Sequence, residues 1–115
     1  MSPEWKWRGI RCGERGRFPS TITLEVLPTV KKLIPDPMAD ENPIIINPAE
    51  LEAMRLVDME GLTQEMAARK MGVSRGTVWR LLDCARRKIT AAIYAGRPVI
   101  IDSKGVFSVD SGEEE

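Results

Sequence analysis

The chain has 115 residues, 43% of them hydrophobic and 30% charged, with 17 basic and 17 acidic side chains, two cysteines and no histidine. That length suits one domain with a modest core and leaves little chain for a deep catalytic cleft. A Ser–His or Cys–His nucleophile pair is excluded, no Gly-x-x-x-x-Gly-Lys phosphate loop occurs, and Cys12 and Cys84 lack Cys-x-x-Cys spacing, so no enzyme activity, cofactor or metal is expected.

No apolar run is long enough to cross a bilayer, and Met1 to Trp7 lacks the layout of a signal peptide. The expectation is a cytoplasmic protein with no membrane partner, its two thiols reduced and separate. The zero net charge divides unevenly along the chain. Residues 1–17 and 63–97 are basic, the latter with Arg69, Lys70, Arg75, Arg80, Arg86, Arg87, Lys88 and Arg97 against Glu65 and Asp83. Residues 36–60 and 101–115 are acidic. Such segregation favours a molecule with one basic and one acidic face.

Residues 1–46 read as a basic N-terminal arm with short strands. Trp5-Lys6-Trp7-Arg8-Gly9-Ile10-Arg11 alternates apolar with basic side chains, as a strand or an arm on a charged surface does. Thr21 to Leu27 alternates with Ile22, Leu24 and Val26 on one side, which predicts a half-buried strand. Pro28, Pro35, Pro37 and Pro43 then predict a surface connection with at most one helical turn, around Val30 to Leu33. Ile44-Ile45-Ile46 predicts a short strand.

Residues 47–96 carry three helix signatures. Asn47-Pro48-Ala49-Glu50 combines an N-cap, a proline at the first helical position and a glutamate three residues after the cap; Leu51, Met54, Leu56, Val57 and Met59 follow, and Gly61 closes the helix. Thr63 caps a second helix that ends at Gly72, and Ser74 caps a third that runs from about Arg75 to Tyr94, stopped by Gly96 and Pro98. Twenty residues of helix span about 30 Å, more than packing on two short helices requires, and the surplus turns could meet a second protomer. The spacing of the second and third helices is that of a helix-turn-helix: Ala68 at a close crossing, Gly72 in the turn, Val78 in the angle between helices, with Ala67, Met71, Val73 and Leu81 completing the buried set. Cys84, beside Ala85 and near Leu82, reads as a buried structural thiol. Residues 97–110 predict a β-hairpin, Val99-Ile100-Ile101 and Val106 to Val109 around Asp102-Ser103-Lys104-Gly105, as a wing or paired with the upstream strands. Residues 111–115 predict a disordered acidic tail.

The fold class expected is therefore mainly α: a three-helix helix-turn-helix bundle with a long recognition helix, plus short N-terminal strands and a C-terminal hairpin. On the outer side of the recognition helix, Ser74, Arg75, Gly76, Thr77, Trp79 and Arg80 are the groove-facing candidates, with Asp83 beside them. Arg75 and Arg80 suit guanine edges or phosphates, and Trp79 suits a thymine methyl, a sugar or an anchor within the protein. Thr63 and Gln64 suit either a phosphate or the capping of their own helix. Arg86 and Arg87, with Lys88, form a basic cluster further along, fit for phosphate or for a solvated face.

Two stretches carry a resemblance to a known group. Ala53-Met54-Arg55-Leu56-Val57-Asp58-Met59-Glu60-Gly61-Leu62-Thr63-Gln64-Glu65, then Met71 to Val78 and Ala85-Arg86-Arg87-Lys88-Ile89, resemble a small prokaryotic family of uncharacterised, predicted DNA-binding proteins whose helix-turn-helix is like region four of sigma factors. The likeness covers about Ile44 to Ile101, roughly half the chain, with weaker similarity at Trp7-Arg8-Gly9-Ile10. Phe18 to Asn42 follows no pattern of that family, and Asp102-Ser103-Lys104 stands where a more glycine-rich ending is usual. The resemblance implies a transcriptional regulator that binds double-stranded DNA, and the helix-turn-helix implies a homodimer. The alternative is a protein-interaction module that docks on RNA polymerase or another regulator through its acidic segment.

Overall fold

Local capping sets the helix starts. A computed structural model of the chain describes residues 22–102 and, as backbone, 107–109. Helix α1 (Pro48–Met54) starts at a reciprocal box: the Asn47 side chain accepts from the Glu50 amide at 2.9 Å and the Glu50 carboxylate accepts from the Asn47 amide at 3.0 Å. Helix α2 (Gln64–Met71) starts at Thr63, whose hydroxyl accepts from the Met66 amide at 3.1 Å. Helix α3 (Arg75–Ala95) starts at Ser74, whose hydroxyl accepts from the Thr77 amide at 3.1 Å. The helix starts expected from sequence are those observed, and the fold is mainly helical with short strands.

Two departures belong to the first helix. Beyond Met54 the winding widens to a π-helical turn over Arg55–Met59, with the Glu60 amide bonded five residues back to the Arg55 carbonyl at 2.9 Å. Each residue of the wider turn advances less around the axis, so Met59 does not return to the face of buried Leu56. It is 72% exposed instead of completing the apolar stripe.

The strands are β1 (Ile22–Leu24), β2 (Lys32–Leu33), β3 (Ile44–Ile46), β4 (Val99–Ile101) and β5 (Phe107–Val109). Where one helical turn was expected, Val30 to Leu33 includes the two-residue strand β2. The expected C-terminal hairpin is corrected, since β4 and β5 do not pair with each other, while the alternative of pairing with the upstream strands is what is found. Strand β4 lies between β2, antiparallel, and β3, parallel, with Ile44 opposite Val99 and Ile46 opposite Ile101; β5 runs parallel to β1. The reason is the composition of β4. Val-Ile-Ile is wholly β-branched and apolar, which suits a strand bonded to a partner along each edge. The turn residues 103–106 lie outside the described residues, as do the N-terminal arm 1–21 and the acidic tail.

Two apolar clusters are strung along α3. Near its start, Val78, Leu81 and Leu82 pack with Leu56, Ala67, Ala68, Met71 and the inward residues of β1, Ile22 and Leu24. Further on, Ala85, Ala91 and Ala92 pack with Ile44, Ile46 and Val99 of the sheet, and Met54 borders both clusters. The length of α3 thus serves two cores, and its later turns are mostly occupied by the sheet rather than surplus. The exceptions are Ile93 and Tyr94, 71% and 76% exposed. Leu56, Met71, Val78, Leu81 and Leu82 are fully buried. Each contributes about 1.5–3 kcal/mol by leaving water.

Gly96 ends α3 at φ +67°, and there residues 39 and 40 dock on the helix end, both amides donating to the Gly96 carbonyl at 3.0 and 3.1 Å. A Cβ at Gly96 would lie 2.8 Å from the Cβ of Ala39, so the position needs glycine for space as well as for conformation. Arg97 follows, donating from Nε to the Asn42 carbonyl at 2.6 Å and from Nη2 to the Pro43 carbonyl at 3.0 Å. Cys84 is buried as expected, but its sulfur is in a disulfide, which corrects the reading of separate reduced thiols. Cys12 lies outside the described residues.

Candidate nucleic-acid interface

Helices α2 and α3 meet through small side chains. Ala67 and Ala68 are buried at the crossing, and Gly72 turns the chain at φ +71°, which lets the Val73 amide donate to the Ala68 carbonyl at 3.0 Å. Val78 is fully buried in the angle between the helices. The first two turns of α3 therefore project with Arg75, Gly76, Trp79 and Arg80 exposed and Val78, Leu81 and Leu82 turned inward.

The nominated side chains do not all share that surface. Thr77 is corrected: it is 5% exposed, its hydroxyl 3.0 Å from that of Ser74, because position 77 falls beside Val78 and one turn before Leu81 on the inward strip of the helix. It cannot face a groove. Thr63 is exposed but its hydroxyl is used as a cap, and Gln64 is half-buried. Gly76 is exposed, and a Cβ there would meet nothing closer than the Ser74 hydroxyl at 3.9 Å, so internal packing does not demand glycine at that position.

Ion pairs divide the basic residues further. Arg86 holds Asp58 of the π-helical turn through contacts of 2.6 and 3.2 Å, and that carboxylate raises the guanidinium's proton affinity further. Arg87 holds Asp83 at 3.0 Å, four residues back. Lys88 is not part of any surface cluster: it is buried, its ammonium 2.9 and 3.1 Å from the carboxylate oxygens of fully buried Glu50. Lys70 pairs with Glu25 at 2.9 Å. Arg69 and Arg75 make no ion pair with the described residues, and Arg80 has only a 3.5 Å contact to the Thr77 hydroxyl. The basic segment read from sequence thus reduces to Arg69, Arg75 and Arg80 around one end of the helix pair. Arg69 is exposed but is not among the contact residues nominated from sequence. Its freedom depends on which carboxylates the fold brings near.

A second network fixes α2 to the rest. Arg55 contacts Glu52 at 3.0 Å, Glu25 at 2.8 Å and Glu60 at 3.2 Å, and Glu25 in turn holds Lys70. Glu52 foremost, and then Glu25, keep Arg55 more firmly protonated than usual; Lys70 and then Arg55 hold the Glu25 carboxyl below its ordinary range. No local signal links Glu25 to Arg55, thirty residues away. Beside this network lies an open, mostly apolar groove of about 500 Å³ between Val26, Pro28, Leu51, Met54 and Met59.

Comparison with known proteins covers most of the chain. The model of a family described as a protein of unknown function, DUF134, matches residues 9–109. The chain belongs to the DUF134 family. The family match extends well beyond the half of the chain that carries the resemblance in sequence motifs. A UPF0251 protein of Archaeoglobus fulgidus is 45% identical over 101 residues, covering 88% of this chain and 94% of the relative. One from Pyrococcus furiosus is 43% identical over 103 residues, covering 87% and 95%, and one from Methanosarcina acetivorans is 35% identical over 105 residues, covering 90% and 92%. No solved structure matches the chain. Among the described residues of this DUF134 member, no helix is long and apolar enough to cross a membrane.

Proposed function

We propose that this protein binds double-stranded DNA sequence-specifically, as a homodimeric cytoplasmic transcriptional regulator, with the first two turns of α3 in the major groove. One observation carries the reading: the exposed bases without strong ion pairs, Arg69, Arg75 and Arg80, gather at the reading end of the helix pair, while the other bases of α2 and α3 are neutralised or buried. A major groove about 12 Å wide accepts a helix with that face, and guanidinium groups suit phosphates and guanine edges alike.

The rival reading, docking on RNA polymerase or another regulator through the acidic segment, has less support. Glu50 and Glu52 are buried, and Asp58 and Glu60 are spent on Arg86 and Arg55. That leaves Asp36, Asp40 and Glu41 as the acids of the segment outside the ion pairs described above, fewer than half of its seven.

The test is fluorescence anisotropy on the protein's own promoter with wild type and the Arg75→Ala/Arg80→Ala double variant. Each lost contact costs about 1–3 kcal/mol, so affinity should fall by roughly 30-fold or more with the far-UV circular dichroism unchanged. Undiminished binding by the double variant would remove the groove assignment. Polymerase recovered in a pull-down, with no salt-sensitive DNA binding, would favour the rival.

A further inference from the structure

Trp79 is a large apolar side chain on a face that otherwise carries arginines. It is 53% exposed, although the residues on either side of it in the fold's logic are sharply assigned: Val78 is fully buried and Arg80 exposed. Its indole nitrogen makes no hydrogen bond to a described residue, so it is not held as an internal anchor. Arg75 lies one turn before it on the same strip, the i, i+4 spacing that sets side chains about 5–6 Å apart at Cβ.

The chemistry of that strip is one-sided. Arg75 and Arg80 offer donors only, and Trp79 offers an apolar plate with a single donor at its edge. The acceptors near it are already engaged: the Ser74 and Thr77 hydroxyls lie 3.0 Å from each other, and the Asp83 carboxylate is held by Arg87 at 3.0 Å. In the major groove, guanine presents two acceptors and thymine a methyl group beside an acceptor, whereas cytosine presents a donor that needs an acceptor on the protein. A face of donors around an apolar plate therefore complements guanine and thymine.

Resting on the DNA-binding reading above, we infer that Trp79 is a specificity-determining residue that packs on the 5-methyl group of a thymine in the major groove, beside guanine contacts from Arg75 or Arg80. The methyl group is the one feature of thymine that uracil lacks, with the pairing edge unchanged. Deleting it removes the contact and nothing else.

The experiment uses the full chain. Duplexes enriched from a random-sequence pool supply the probe, and each thymine in the enriched site is replaced in turn by deoxyuridine. For wild type, one position should lose about fourfold in affinity, the equivalent of roughly 0.8 kcal/mol for one buried methyl-sized group. Trp79→Ala should bind thymine and uracil versions of that position equally, and Trp79→Phe, which keeps an apolar ring, should retain part of the preference. A wild type indifferent to uracil at every position overturns the inference while leaving DNA binding intact, as does a Trp79→Ala protein that keeps the full preference. A pool that yields no enriched sequence overturns the DNA reading itself, and this inference with it.

Discussion

Replacing Lys88 by methionine removes one half of an ion pair that water does not reach. Lys88 is 6% exposed and Glu50 is 0% exposed, with both carboxylate oxygens within 3.1 Å of the ammonium. Methionine fills similar volume, so the loss is electrostatic: the Glu50 carboxylate keeps the Asn47 amide at 3.0 Å but has no countercharge. Stranding a buried charge in this way costs about 3–5 kcal/mol. At roughly 2.1 cal/mol/K per residue the unfolding entropy of a chain this long is about 240 cal/mol/K, which converts that cost into a Tm lower by about 12–20 °C. Urea unfolding followed by circular dichroism measures the difference directly. The double variant Lys88→Met/Glu50→Gln removes both charges and keeps an acceptor for the Asn47 amide, so it should recover most of the loss. A single variant that loses less than about 1 kcal/mol, or a double variant no better than the single, would refute the assignment of a buried, mutually dependent pair.

Gly96→Ala should lower stability by more than about 1 kcal/mol, since it meets both the left-handed backbone penalty and Ala39 at 2.8 Å; a Tm unchanged within 2 °C, on the order of half a kcal/mol, would contradict the close contact. The Glu25 carboxyl is held below its ordinary value by Lys70 and Arg55, so its stabilising effect is complete above about pH 4.5 and is lost as pH falls through the lowered folded value. The stability difference between wild type and Glu25→Gln should accordingly be present at pH 7 and shrink on acidification below pH 4.5; a difference constant from pH 7 to 3 would mean that the pairing does not act through charge. For the proposed homodimer, Ile93→Glu/Tyr94→Glu should shift sedimentation from dimer to monomer at micromolar concentration, because those two side chains are 71% and 76% exposed. A wild type that sediments as a monomer would sink the dimer.

Much of the helical framework was legible in the sequence, because its determinants act within four residues. Asn47, Thr63 and Ser74 each satisfy the amide three positions ahead, and Gly72 and Gly96 adopt the left-handed conformation that ends a helix. Of the inward positions that followed from helical spacing, Ala67, Ala68, Met71, Val78 and Leu81 are buried and Val73 is half-buried. The candidate reading face was legible to the same extent, since Arg75, Gly76, Trp79 and Arg80 lie on the outside by the same spacing. Thr77 was the exception, one turn before Leu81 on the buried strip.

By itself, then, the sequence determined where the helices begin and end and which side of each faces inward. Only the tertiary structure decided what the charges do and which strands pair. Lys88 and Glu50 are 38 positions apart, Arg86 and Asp58 28, Arg55 and Glu25 30. A charge counted along the chain contributes to a surface field only if folding leaves it without a partner. The C-terminal strands went to separate sheets for a related reason: backbone pairing is worth most where apolar faces are covered, and coverage is a property of the assembled layers. The segment from Gln64 to Asp83 therefore specifies a helix-turn-helix locally, while the identity of its free arginines was settled by carboxylates that the rest of the fold brings to the others.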